Sequence, residues 1–525
     1  MNLNDLMKNP VFIISAFFVG LLAILGATMP NQFASVSETL YGFTTTYFGW
    51  FYLIVVFMFT VFLLGLALTR FGKIRLGGET ERPEFPFFTW IGMLFSAGLG
   101  VGLVFWGVAE PMSHFFESPF PDIQDHSVES ARVGMGYSFF HWGMNQWSIF
   151  TLVGLVIAYL QYRKKRDGLV STALEPITGS HANIKTTVDS LAVIATVIGI
   201  ATSIGLGVLQ MNGGLNAVFG IPNNGWIQVL IIVFIFIAYM ISSTTGLHKG
   251  IKYLSNINMS LIILLLLFVF ITGPTVFILN SFVLGLGDYI TNIIQYSLRL
   301  TPYEGGTWVR DWTIFYWAWV IAWSPFVGAF IARVSRGRTI REFIFGVMIV
   351  PPLISLFWFA TFGGTALHSD LMNGTKIAEA VNADVTVALF EMLQILPLPT
   401  ISSLLAILLV ATFLITSADS AAYILGSMTT KGSLTPPMRV KMIWGVLLAA
   451  IAGVLLFAGG LEALQTASLI AALPFAVLML LMIAALIKLL RKDIVPISKR
   501  ELRRYKRMQD RLEQLEEKKD DKPKN

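Results

Sequence analysis

The sequence predicts an all-α polytopic membrane protein of twelve transmembrane helices, arranged as a pair followed by two sets of five. Three observations lead there. The 525 residues are 55% hydrophobic and 13% charged, with a mean hydropathy of +0.71, whereas a soluble chain carries roughly 25% charged residues. Twelve apolar stretches approach or exceed the ~20 residues that a helix needs to cross the hydrocarbon core. All but four of the 37 Lys and Arg fall on one side when the connecting segments are assigned alternately to the two faces. A soluble globular protein, a disordered chain, a collagen and a coiled-coil rod are all excluded.

The stretches lie near 11–30, 46–69, 88–110, 132–161, 187–211, 224–243, 257–280, 310–334, 341–366, 398–427, 442–459 and 461–489. The first follows a single Lys and is succeeded by eleven more, so it reads as a retained helix rather than a cleaved signal peptide. With the N-terminus inside, only Arg132, Arg299, Arg310 and Lys376 fall outside. The positive-inside rule then places both termini in the cytoplasm. The formal charge of +6 is thereby an orientation signal and implies no nucleic-acid partner. Between spans seven and eight, residues 281–305 mix apolar and polar positions at helical spacing and predict a helix lying in the outer interface.

Glycine and proline interrupt two spans. Span three carries Gly98, Gly100 and Gly102, and span eight carries Ser324, Pro325 and Gly328. Each opens a set of five, and five is odd, so the second set crosses in the opposite sense. Discontinuous helices at corresponding positions are the trace of an inverted repeat with a midplane site. The boundaries predicted are 1–87 for the initial pair, 88–280 and 310–489 for the repeats, 281–309 for the external helix and 490–525 for a basic tail.

Cysteine is absent, which excludes disulfides, thiolate metal sites and cysteine nucleophiles. The six histidines show no i, i+3 or i, i+4 pair, the spacing a helical metal site needs. There is no Walker lysine loop and no HExxH, so the expectation is no enzyme and no cofactor. A channel is the other membrane function to weigh, distinguished by single-channel currents.

Three constellations could carry chemistry. In SAGLGVGLVFWGVAEP, Ser96 to Pro111, three glycines weaken a helix by roughly 1 kcal/mol each relative to Ala. Gly98 and Gly102 could be a GxxxG packing pair. Alternatively the stretch is unwound, its free amides receiving a carboxylate and its free carbonyls a cation. Aromatic rings cluster in FFHWGMNQWSIF and WTIFYWAWVIAWSPF. Tryptophans near span ends, such as Trp90 and Trp312, fit interfacial belts, but Trp147, Trp319 and Trp323 lie deeper. Several rings meeting there make a cage for a cation with no N–H to donate, each ring contributing roughly 0.5–2 kcal/mol. Finally, FLITSADSAA places Thr416, Ser417, Asp419 and Ser420 inside span ten. Hard oxygen ligands suit sodium, while back-bonding within the helix is the plainer alternative. Thr196, Thr202 and Ser203 offer a second, less specific hydroxyl group.

AGLGVGLVFWGVAEP, FHWGMNQW, WTIFYWAWVIAWSPFVGAFIARVSRGRTIREF and TSADS resemble the signatures of the betaine/choline/carnitine transporter family over about residues 10–490. The resemblance implies a leucine-transporter-like inverted repeat of five plus five helices behind two N-terminal ones. It also implies a homotrimer in a bacterial cytoplasmic membrane and import of glycine betaine or a related zwitterionic quaternary-ammonium osmolyte. Choline, carnitine, ectoine and proline betaine are the alternatives. The family's aromatic box falls on Trp142, Trp147, Phe150, Trp319 and Trp323, with Phe315 along the pathway. One sodium site falls on Ser96, Leu99, Phe413, Thr416 and Ser417, and a second on Thr196 and Phe326. Gly102 stands where proton-coupled choline carriers of the family tend to have an aspartate, which favours sodium coupling. Val320 replaces a tryptophan often paired with Trp319, and Ile200 replaces a threonine near the second sodium site. From Ser498 the tail reads as a basic amphipathic helix. It is either a solvated end or, by resemblance, a regulatory element responding to potassium or lipid charge under osmotic stress.

Overall fold

The computed structural model describes residues 8–98, 100–244, 250–303, 305–433, 435–495, 507–509 and 511–512. Among them are seventeen α-helices and no strand, apart from an isolated antiparallel bridge between Arg75 and Thr339. The first six are α1 (Pro10–Thr28), α2 (Pro30–Leu68), α3 (Phe87–Gly98), α4 (Val101–Phe116), α5 (Val128–Trp142) and α6 (Met144–Ala158). Next come α7 (Val170–Thr178), α8 (Ala182–Phe219), α9 (Gly225–Thr244), α10 (Gly250–Thr272), α11 (Thr275–Ser297) and α12 (Phe315–Val334). The last five are α13 (Ile340–Asn373), α14 (Ile377–Ala383), α15 (Ala388–Gln394), α16 (Pro399–Met428) and α17 (Met438–Leu490).

Eleven helical segments among the described residues are long and apolar enough to cross a membrane. They do not include α3 and α4, a crossing in two short pieces. They count α17 once, although its 53 residues hold non-helical Gly459 and Gly460. At 1.5 Å per residue that helix would be about 80 Å long, more than twice the hydrocarbon thickness, so it is two spans joined at the expected place. They also include α11, which is amphipathic. With these adjustments the architecture is the twelve-span bundle that the sequence predicts.

The segments form an inner and an outer layer. Over their most apolar windows Val128–Arg163, Ala182–Phe219 and Arg310–Val334 are 94%, 89% and 89% buried, against 33% for Pro10–Thr28 and 22% for Tyr253–Thr272. Apolar side chains on the outer helices, such as Phe17, Phe234 and Ile271, point outward, as a lipid-facing shell requires. Small residues bring the inner helices together. Gly154 of α6 and Gly328 of α12 face one another. At Gly199 of α8, an added Cβ would lie 2.5 Å from the Trp323 amide nitrogen, so glycine there admits the backbone of α12.

The structure corrects three sequence expectations. Span eight is not broken at Ser324, Pro325 and Gly328, because α12 runs through them. Pro325 frees the Ile321 carbonyl by lacking an N–H, and the Ser324 hydroxyl donates to that carbonyl at 2.7 Å, so the helix continues. The irregular turn is instead a π-turn at Arg310–Ile314. Span seven ends at Thr272, where Gly273 and Pro274 stop it, and the helix expected over 281–305 runs from Thr275 to Ser297. Span four breaks at Gly143, which the sequence reading missed. The N–H of Met144 freed there donates to the Tyr289 hydroxyl oxygen of α11 at 2.9 Å.

Most of the predicted tail helix beyond Ser498 lies outside the described residues. Just before it, Asp493 takes hydrogen bonds from Tyr159 at 2.6 Å and Arg163 at 2.9 Å and pairs with Lys164 at 3.2 Å. Burial pushes its carboxyl up, but the bonds from Arg163, Tyr159 and Lys164 outweigh this and hold it below the usual carboxylate range. A depressed carboxylate stabilises above its unfolded value near 3.9, and the contribution disappears as pH falls through the folded value.

Two outcomes follow. Asp493→Asn should lower stability in detergent at pH 7 by roughly 1–3 kcal/mol, and the gap to wild type in thermal melts should narrow below about pH 4. Gly199→Ala should cost roughly 1–3 kcal/mol by overpacking against a backbone that cannot swing away, seen as a lower melting temperature and reduced monodisperse yield.

Candidate substrate and ion site

The break between α3 and α4 and the inner face of α12 meet. Gly100 precedes α4 with φ −54° and ψ −151°, outside the helical region. A Cβ added at Gly102 would overlap the Trp319 ring and lie 3.2 Å from the Trp142 ring, and one at Gly100 would touch Trp323 at 4.0 Å. The missing side chain at Gly102 is therefore what allows Trp319 and Trp142 to close over this stretch, with Trp323 in ordinary contact range of Gly100. Gly98 ends α3. The Ser96 side chain and the whole of Leu99 lie outside the described residues.

The predicted aromatic residues are buried and form one continuous series of ring contacts. Trp142 meets Trp319 at 6.3 Å between centroids, and Trp319 stacks on Trp323 at 5.7 Å with planes 3° apart. Trp323 meets Phe150 at 5.5 Å, and Phe150 meets Trp147 at 5.7 Å, both edge to face. Phe315 stacks on the other side of Trp319 at 6.0 Å. The spacing Phe315, Trp319, Trp323 is i, i+4, i+8, which places successive side chains along one face of a helix. The Trp319 N–H donates to Ser203 of α8 at 3.2 Å. The Trp147 N–H is buried with no acceptor among the described residues. Val320 is fully buried beside Trp319.

The hydroxyl residues sit on the adjoining helices. Leu414 of α16 and Val101 of α4 both close on Gly207 of α8, so the helix carrying Phe413, Thr416 and Ser417 runs past the start of α4. Thr416 donates within its own helix, to Thr412 or Phe413 carbonyls at 3.0 Å, and accepts from Asn258 of α10 at 3.1 Å. Thr196 donates to Ala192 at 2.7 Å. It lies one turn before Gly199, and Phe326 one turn beyond Trp323, so both flank the closest approach of α8 and α12. Ile200, next to Gly199, is buried.

One group escaped the sequence reading. Glu110, wholly buried on α4, accepts from the Trp142 N–H at 2.8 Å and the Tyr316 hydroxyl at 2.7 Å. Its other oxygen lies 2.6 Å from His141 Nδ1 and 3.4 Å from His114 Nε2, and His141 Nε2 lies 2.9 Å from the Thr313 hydroxyl. The histidines, which show no pair at helical spacing, thus meet across two helices around a carboxylate. The 2.6 Å separation is a hydrogen bond. Two donors on one tetrahedral ion, each about 2.0 Å from it, stand about 3 Å apart, so the geometry present is not that of ligands around a metal. The available signal was a carboxylate in an apolar run four residues before a histidine. A predicted boundary at 110 gave it the appearance of a residue at the membrane edge.

The family model for betaine/carnitine/choline family transporters matches residues 10–495. An ectoine/hydroxyectoine transporter of Virgibacillus pantothenticus is 65% identical over 486 residues, covering 93% of this chain and 97% of that protein. The glycine betaine transporter OpuD of Bacillus subtilis is 47% identical, covering 94% and 96%. A probable glycine betaine transporter of Desulfitobacterium hafniense is 42% identical, covering 93% and 99%. Family signature, bundle and full-length likeness agree: this chain belongs to the betaine/carnitine/choline family of transporters and is a transporter, not an enzyme.

Proposed function

We propose that the protein is a sodium-coupled importer of glycine betaine or a closely related zwitterionic osmoprotectant, working as a homotrimer in the cytoplasmic membrane with both termini inside. The observation that carries the substrate class is the unbroken series of five buried rings from Trp142 to Trp147, with Phe315 stacked on Trp319 as a sixth. A methylated ammonium has no N–H to donate and is stabilised by ring faces. The substrate carboxylate is taken by donors that need one, the amides around Gly100 to Gly102 and the buried N–H of Trp147. The rings touch one another, so the substrate cation enters by parting them.

Sodium coupling is supported by chemistry and placement. Thr416 and Ser417 lie on α16, Phe413 on the same helix, and in sequence Ser96 and Leu99 belong to the interrupted stretch of span three. A cation held by those oxygens ties α16 to the helix break and so favours the arrangement in which the break can receive a carboxylate. That is coupling by differential affinity for two states. Thr196 and Phe326 would do the same between α8 and α12. Charge asymmetry supports the orientation.

A second reading, an ectoine-type substrate, is favoured by the 65% identity to an ectoine/hydroxyectoine transporter and by Val320. A valine where the family often has tryptophan leaves more width beside Trp319 for a ring-shaped solute.

Proteoliposome uptake of radiolabelled glycine betaine and ectoine, with and without an inward sodium gradient, decides these points. The expected result is saturable uptake of at least one solute that collapses without the gradient. Uptake indifferent to sodium would overturn the coupling, and uptake of neither solute the substrate class. In the same assay Trp319→Leu should raise KM by roughly 2- to 30-fold, the equivalent of one ring contact. Val320→Trp should weaken ectoine more than glycine betaine.

A further inference from the structure

Glu110 is a carboxylate in the middle of a membrane bundle, and no part of the proposed transport cycle uses it. Burying a charge is costly unless it is fully hydrogen-bonded, and here both oxygens are engaged. One accepts from Trp142 and Tyr316, the other faces His141, and His141 is itself held by Thr313. The partners come from α5 and α12 and from the π-turn before α12, so a single side chain of α4 ties together helices of both repeats.

What Glu110 holds is the outer wall of the ring series. Trp142 is gripped at the N–H edge of its indole and presents the opposite edge to Gly102 and Trp319. Tyr316 contacts Trp142 at 5.8 Å and Trp319 at 6.3 Å while its hydroxyl is fixed by the same oxygen. An indole that donates to a carboxylate is also richer in electrons, and it is the negative face of the ring that attracts a cation.

We propose that Glu110 is the positioning residue of the substrate cage: its carboxylate sets the orientation of Trp142 and Tyr316 and polarises the Trp142 ring toward the substrate cation. This rests on the assignment of the ring series to substrate binding. Glu110 touches no substrate and acts only through those two rings.

The test uses the full-length protein in two measurements. The first needs no substrate. Ultraviolet resonance Raman spectra, taken as wild type minus Trp142→Phe, isolate the Trp142 indole. A strongly hydrogen-bonded N–H signature is expected, weakened in Glu110→Gln and lost in Glu110→Ala. A free N–H signature in wild type overturns the proposal whatever the protein carries. The second is uptake kinetics. Glu110→Gln keeps an acceptor for Trp142 and Tyr316 without the charge, so KM should rise by only a few-fold with Vmax near wild type. Glu110→Ala should raise KM by about 10- to 100-fold, the loss expected for hydrogen bonds to a charged group, and Gln should be the better tolerated variant. In the Trp142→Phe background, which keeps a ring but no N–H, Glu110→Ala should add much less than it does alone. A wild-type KM in Glu110→Ala, or an effect that adds in full to Trp142→Phe, overturns the proposal. A bound N–H by Raman together with no osmolyte uptake by wild type would keep the geometry and reject the function assigned to the cage, so the two failures are distinct. Should Glu110→Ala not fold, Glu110→Gln and Tyr316→Phe carry the same cycle.

Discussion

Inside a bilayer no water is available to a freed backbone group, and that constraint decides where this bundle can be irregular. Two of the interruptions show this directly. The Ile321 carbonyl released by Pro325 is met by Ser324, and the Met144 N–H released at Gly143 is met by Tyr289. A freed group is tolerated where a side chain of the same helix or of a neighbouring one supplies the missing bond. The result is that irregular backbone collects on the inner faces, between α4, α6, α8 and α12, and that is where the rings are. The same rule explains Glu110, a charge tolerated because four groups from three elements surround it.

Periodicity and composition were enough to read the bundle, because lipid demands long uninterrupted apolar runs and turns the basic residues to one side. The finer breaks were not legible for a physical reason. A glycine or proline in a run shows that a helix can yield, not that it does. Pro325 reads as a break and is repaired by its neighbour's hydroxyl, which depends on one rotamer. Gly143 reads as ordinary and breaks because Tyr289, 146 positions later, offers a substitute bond.

The ring residues were legible individually, since an indole deep in a span is expensive without a role, and the family signature supplied Trp142 and Phe150. Their continuity was not legible, because it depends on Gly102 and Gly199 letting helices approach to backbone contact. Glu110 and Tyr316 were missed for the opposite reason. Each looks unremarkable in its own segment, a carboxylate near a span end and a tyrosine among aromatics, and gains meaning only when α4, α5 and α12 are brought side by side. Hydroxyl ligands are the hardest to read, because Thr416 and Thr196 are equally content bonding to their own helices.

Helix α11 takes on a mechanical meaning once its contacts are seen together. It pairs Asp288 with Arg132 through two 2.8 Å bonds, stacks Tyr296 on Tyr137 at 4.0 Å, and reaches Asn145 through both Ser297 and Tyr289. The bend at Gly143 cannot change without undoing the Tyr289 and Ser297 bonds, and Trp142 and Trp147 lie on either side of that bend. α11, which contributes no ring to the series, therefore braces the bend that separates two of its tryptophans.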